Sequence, residues 1–449
     1  MEIKKIRTTS INDKKDTVVS KIDKIDIGKD AEMQVLNIFP DVKYQKANYF
    51  AGAVTDAAAE TLCEMSEADR KEVLEAYFGK DGIGYNAIRT HIDSCDFSSE
   101  QYEASSNPDD VDLENFSIEY DLKYRIPIIK EIYEISGRDI PVLLSPWSPP
   151  AFTKSNAERS HGGVLKKEFY GYWAKYIVRY IYEYKKLGIN VKALTIQNEP
   201  NAAQTWDSCL FTAEEEKDFL DNYLYPELSK NGLLDVHLYI WDHNKERALE
   251  RAEITIDEQN IDKIEGLAFH WYTGDHFDVL RILKERYPDL QLTLSEFCVE
   301  YSRFDDNQLQ HANMYAHELI GNYNAGMNNF IDWNICLNEE GGPNHVKNFC
   351  SAPVMYDRQS KKVNYNLTFD YLSHFSKYIE SGATVLGSSS YSKDLEQLAL
   401  LNPNGEIILI VLNQADADHD IVVRVKGYEN FSTTIECNSI NTFVIEQLI

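Results

Sequence analysis

Apolar residues along this chain gather in short, near-continuous runs separated by polar stretches of helical character. Eight runs recur between Ala47 and Asn334: "ANYFAGAV", "IGYNAIRTH", "IPVLLSPW", "VKALTIQN", "VHLYIWD", "IEGLAFHWY", "LQLTLSEF" and "NNFIDWNI". Continuous hydrophobicity suits strands covered on both faces, as in a parallel sheet; a strand with one wet face would alternate. Between the runs lie amphipathic segments such as "SEADRKEVLEAYFG" and "TAEEEKDFLDNYLYPELSK". Ser66 and Thr212 stand at their N-cap positions, each with an acidic residue close behind. Strands alternating with helices predict an α/β chain whose residues 46–378 close into a (β/α)₈ TIM barrel rather than an open doubly wound sheet.

After Tyr378 the pattern changes. "LEQLALLNPNGEIILIVLNQ" reads as two strands around an Asn-Pro-Asn-Gly turn, and "HDIVVRVKGYENFSTTIECNSINTFVIEQLI" supplies several more. The first 45 residues, with "TTSINDKKDTVVSKIDKI", read as further strands and a turn. The C-terminal tail is too small for a large core of its own. Residues 1–45 and 379–449 are therefore expected to form one all-β side domain packed on the barrel.

Composition narrows the partners. The balance of 45 basic against 73 acidic residues gives a formal charge of −28, which repels phosphate backbones and anionic lipid. Nucleic acid and membrane are not expected partners, and no run reaches the roughly 20 apolar residues of a membrane helix. Seven scattered cysteines without metal spacing point to reduced thiols. The N-terminus has no apolar stretch for a signal peptide, so a cytoplasmic location is the simplest expectation, one that a chain trimmed of its leader would share. No GxGxxG or GxxxxGK follows a strand, and no cofactor is expected.

In such a barrel, chemistry sits at the C-terminal strand ends. The second run ends at Arg89 and His91 and continues to Asp93 and Asp96; the third gives Trp147. The fourth gives Asn198 and Glu199, stopped by Pro200, and the sixth gives His270, Trp271 and Tyr272. The seventh gives Glu296 and the eighth Asp332, Trp333 and Asn334. Two carboxylates on separate strands, with flat aromatic rings between, meet the needs of glycosidic bond cleavage. One acid protonates the leaving oxygen, while the other attacks or stabilises an oxocarbenium-like centre. Either glutamate alone reads equally well as a capping or salt-bridging carboxylate, and Arg89 with Asp96 as an internal ion pair. Two rivals differ in class: a metal-dependent barrel hydrolase using His91, Asp93, His243 and His270, and a catalytically silent carbohydrate-binding barrel.

At these same residues the sequence resembles glycoside hydrolase family 30, in particular its glucosylceramidase-like branch. The resemblance rests on "FAGAVTDAAAE", "GIGYNAIRTHIDSCDFS", "LLSPWSPPAF", "TIQNEP", "AFHWYTGD", "LSEFCVE" and "FIDWNICLNEEGGPNHVKNF", in that order, from about Tyr49 to Phe375. It implies a retaining hydrolase of β-linked glycosides, with Glu199 as general acid/base, its pKa raised by its charged neighbour, and Glu296 as nucleophile. Asn198 would hold the sugar's 2-hydroxyl, and Asp96 and Trp147 would bind its far side. Trp333 would form the floor, with Arg89, His270, Tyr272 and Asn348 completing the substrate-binding set. Trp206 lies in the loop after Glu199 as an aglycone platform, and the polar stretch "TKSNAERSHGGVLKKEF" suits a soluble saccharide. The intact Asp96 and Trp147 point to glucose in the first subsite. β-Xylosidases, β-1,6-glucanases and β-fucosidases share the same motifs. Oligomeric state is not encoded in them.

Overall fold

The computed structural model describes residues 1–11, 14–22 and 34–446. Eight parallel strands close into a barrel in chain order: Tyr49–Ala53, Ala87–Ile92, Val142–Pro146, Val191–Thr195, His237–Asn244, Ile264–His270, Gln291–Glu296 and Asn329–Asp332. The eighth pairs with the first, Asn329 opposite Tyr49, which closes the ring. Each strand falls inside or at the edge of one of the eight apolar runs. The second, third and eighth are buried at every position, the double-sided cover that continuous hydrophobicity requires.

Helices fill the outer ring and start where hydroxyls satisfy free backbone N–H groups. Ser66 accepts from the Asp69 amide ahead of Glu67–Phe78. Thr212 and Glu215 form a reciprocal capping box ahead of Ala213–Phe219.

Among the described residues, the side domain is a nine-stranded sheet that interleaves the two ends of the chain. Glu2–Ile11 lies between Lys14–Lys21 and Ser439–Glu446, while Val35–Ala47 lies between Ala383–Ser390 and His419–Val425. The turn read from Asn402–Gly405 joins Leu395–Leu401 to Ile407–Asn413, with Gly405 at φ 93°. The turn expected between the first two strands lies outside the described residues. The helix Leu367–Ser376 seats the sheet on the barrel: both ring nitrogens of buried His374 meet hydroxyls, Thr442 at 2.9 Å and Thr8 at 2.8 Å. All seven cysteines are free thiols. Among the described residues, no helix is long and apolar enough to cross a membrane.

Candidate active site

At the C-terminal rim of the barrel, Arg89 is completely buried and spans the interior. Its guanidinium donates to Glu296 Oε2 at 3.0 Å, Asn198 Oδ1 at 2.9 Å, Asp242 Oδ2 at 2.8 Å and the Ser295 carbonyl at 2.8 Å. One planar fork thus fixes groups from the fourth, fifth and seventh strands or their ends, a task a lysine point charge cannot perform. The alternative reading, an Arg89–Asp96 ion pair, does not hold. Asp96 instead accepts from Asn348 Nδ2 at 3.0 Å, because Arg89 is turned inward toward two other carboxylates.

Asp242 is the second anchor. It accepts from Arg89, from Thr195 Oγ1 at 2.7 Å and from Ser295 Oγ at 2.6 Å, and it lies 3.1 Å from His270 Nε2. The charge of Arg89 and these bonds outweigh burial and hold its carboxyl well below the usual carboxylate range.

Glu199 owes its position to a turn rather than to the strand. The strand ladder stops at Thr195, four residues earlier, so Pro200 does not end it as the sequence suggested. The Asn198 amide donates to the Pro146 carbonyl at 2.8 Å, and the Glu199 amide donates to the Asp242 carbonyl at 2.9 Å. Glu199 itself sits at φ 46° in the left-handed region. Trp241 and Asp242 adopt φ 75° and 54°, and Asp93 and Asn334 do so as well. Each non-glycine residue there costs about 1–2 kcal/mol, so strain gathers on the barrel rim where side chains are aimed inward.

The two glutamates face one imidazole. His270 Nδ1 lies 3.3 Å from Glu199 Oε1, and its Nε2 lies 4.0 Å from Glu296 Oε2. Gln204 donates to Glu199 Oε2 at 3.4 Å, and Tyr272 donates its hydroxyl to Glu296 Oε1 at 2.9 Å. Burial lowers the affinity of His270 for a proton, but the charge of Glu296 and the bonds to Asp242 and Glu199 more than offset it, holding the imidazole up at about 9. Burial likewise pushes Glu199 up, yet the His270 hydrogen bond and the charges of His243 and His270 bring its carboxyl down to about 2. Glu296 remains raised by burial and by the charge of Glu199, despite His270 and Arg89. The direction is therefore opposite to the raised acid/base expected from the resemblance: Glu199 is held low and His270, 3.3 Å away, is held high.

A cavity of about 230 Å³ opens on this constellation. Glu199, Glu296, Asn198, Asp96, Trp147, Trp333, Tyr272 and Asn348 all line it, as does Trp206. Trp147 and Trp333 stack with centroids 5.3 Å apart, and the Arg89 guanidinium lies 5.1 and 5.3 Å from their rings. Asp96 is lifted well above the usual carboxylate range by burial and then by the charge of Glu296. Arg89 and His270, expected to touch substrate, lie behind the cavity wall. They are fully buried because they spend their hydrogen bonds on the carboxylates.

Other strand-end residues turn away from the cavity. Asp332 accepts from Tyr315, Asn334 accepts from Thr55, and Trp271 packs 4.1 Å from Phe297. The four-residue metal centre does not assemble. His91 accepts from the Asp56 amide and faces the Asp93 carbonyl, and burial holds its pKa well below the ordinary value. Asp93 is bonded by Tyr176 and Arg159. Only His243 and His270 meet, and they do so around Glu199, with one ligand atom of each residue within 4.8 Å of the others.

Sequence reading missed Asp242, and with it Gln204, Asn244, Glu300 and Arg303 along the cavity. The signal for Asp242 was present: "VHLYIWD" ends in a carboxylate just as the other runs end in polar residues.

The glycosyl hydrolase family 30 TIM-barrel domain matches residues 47–379, and the family 30 beta sandwich domain matches residues 382–443. The lysosomal acid glucosylceramidase of Mus musculus is 34% identical over 429 residues, 91% of this chain and 83% of that protein. An endo-1,6-beta-D-glucanase of Neurospora crassa is 25% identical over 426 residues, 90% of this chain and 86% of its own. The crystal structure of SrfJ from Salmonella typhimurium superposes with a TM-score of 0.91 at 36% identity, covering 99% of this chain and 100% of that one. Matched along both barrel and sandwich, the chain belongs to glycosyl hydrolase family 30 and is a glycosidase that hydrolyses O-glycosyl bonds.

Proposed function

We propose that the enzyme is a retaining, exo-acting β-glucosidase of soluble glycosides that works by double displacement. The observation that carries this reading is the placement of Glu199 and Glu296 on one cavity, both addressed by His270. Glu296, oriented by Arg89 and Tyr272, attacks the anomeric carbon. Glu199, with His270 3.3 Å away as its proton partner, protonates the departing oxygen and then takes a proton from the water that releases the sugar, which restores the starting state of the pair. Asn198, pinned by Arg89, presents its amide to the sugar 2-hydroxyl. Asp96 and Asn348, bonded to each other, take the hydroxyls at the far end, beside the stacked tryptophans.

The cavity is smaller than the 300–1,000 Å³ of a drug-sized site, which supports one enclosed sugar ring and hence exo action. The lining also carries Gln204, Asn244, Glu300 and Arg303 beside the Trp206 indole, a largely polar set that supports a water-soluble aglycone over a lipid tail. A second reading, β-1,6-glucan cleavage, draws on the Neurospora crassa relative.

Nuclear magnetic resonance of the first-formed sugar tests the mechanism. Nitrophenyl β-glucoside should release the β-anomer first, and E296Q should form no glycosyl-enzyme detectable by mass. Initial release of the α-anomer overturns the retaining assignment. Faster turnover of long gentio-oligosaccharides than of nitrophenyl β-glucoside overturns exo action.

A further inference from the structure

His243 has no part in the chemistry proposed above, yet it lines the same cavity. Its Nδ1 is buried, has no hydrogen-bond partner and points at Glu199 Oε1 from 3.7 Å. His270 Nδ1 approaches the same oxygen from 3.3 Å. A tetrahedral zinc site holds its donor atoms about 3.3 Å apart, so one donor pair already has the required spacing. The two pairs that involve His243 lie within 4.8 Å and need a swing of its imidazole, which has no hydrogen bond at Nδ1 to hold it.

The surroundings are those of a metal site as well. The remote nitrogen of His270 lies 3.1 Å from Asp242 Oδ1, the carboxylate–histidine arrangement that orients a metal-binding imidazole. Asp242 is itself fixed by Arg89, Thr195 and Ser295. Glu199 and His243 line the cavity, so a fourth ligand can reach the ion from that side. Two imidazoles and one carboxylate suit a borderline cation such as Zn²⁺ better than Ca²⁺ or Mg²⁺, which favour all-oxygen ligand sets.

We propose that Glu199, His243 and His270 form a three-ligand site for Zn²⁺, which binds with release of the His270 Nδ1 proton to solvent, and that Zn²⁺ and substrate exclude each other because both need the Glu199 carboxylate. The inhibition rests on the reading of Glu199 as acid/base; the binding does not.

The test uses the full chain freed of metal by chelation. Calorimetry with Zn²⁺ reads the affinity, and Co²⁺ supplies an optical probe through the visible bands of a four-coordinate ion. Expected are one bound ion per chain, inhibition of nitrophenyl β-glucoside hydrolysis that rising substrate relieves, and full recovery with EDTA. H243A should weaken Zn²⁺ binding about tenfold or more, with the inhibition constant rising in step, whatever its effect on turnover. H243N serves as a second variant should H243A fold poorly, judged by circular dichroism.

Absence of Zn²⁺ binding, or equal affinity in wild type and both variants, overturns the site. Tight binding that leaves hydrolysis unaffected overturns the mutual exclusion. Co²⁺ bands in a protein without glycosidase activity would sink the proposed function and leave the metal site standing.

Discussion

Glu199 stands where the fields of several buried groups meet. It sits in left-handed backbone between two imidazoles, its carboxyl held low while His270 is held high. If it acts as acid/base, E199A should slow glycosides with poor leaving groups by about 10²–10⁴-fold and dinitrophenyl glycosides far less in the first chemical step, since a good leaving group needs no proton. Pre-steady-state burst measurements on both substrate types check this, and equal slowing of both would remove Glu199 from the role. The candidate carboxylates were legible in the sequence because each follows a strand-like run. Their protonation order was not: it depends on His270 and His243, which lie 71 and 44 residues from Glu199 and meet it only in three dimensions.

Strands were easier to read than their ends. A strand covered on both faces is rich in apolar residues, so all eight barrel strands announced themselves, the second despite its buried Arg89, Thr90 and His91. Where pairing stops is decided by neighbouring strands. The fourth strand's ladder ends at Thr195 although the apolar run continues, while the fifth continues to Asn244 through an irregularity between Trp241 and His243. That irregularity, with two positive-φ residues, turns Asp242 toward Arg89 and His270, and no periodicity in "LYIWDHN" reveals it. Close strand approach also sets a testable limit. A Cβ on Gly266 in the sixth strand would press against the Gln291 carbonyl of the seventh and the Tyr239 ring of the fifth. G266A should therefore cost about 1–3 kcal/mol by overpacking, read as a lower thermal midpoint in calorimetry. An unchanged midpoint would show that the barrel wall yields there.

Across the whole molecule, barrel and side domain are tied by polar contacts that acid can break. His374 is buried between Thr8 and Thr442, and burial holds its pKa down at about 3, against 6.5 for a free imidazole. Between those values the unfolded chain binds the extra proton and the folded one does not. Its contribution is therefore complete above pH 6.5 and is lost as pH falls toward 3, by up to about 1.4 kcal/mol per unit. H374Q should be less stable than wild type at pH 7, and that difference should shrink at pH 4–5 in denaturant titrations. A constant difference across this range would place the acid sensitivity elsewhere.

What the sequence determined alone was local and periodic: eight doubly covered strands, the capped helices between them, the all-β texture of both ends, and carboxylates and indoles at strand ends. These follow from rules that act within about ten residues, where burial and backbone geometry leave their mark on the order of residue types. Tertiary structure alone decided that Arg89 serves Glu296, Asn198 and Asp242 instead of Asp96, that His270 stands behind the cavity, and that His243 shares Glu199 with it. Those outcomes are Coulombic and steric contests between residues far apart in the chain, settled by ångström-scale distances that exist only once the ring of strands has closed.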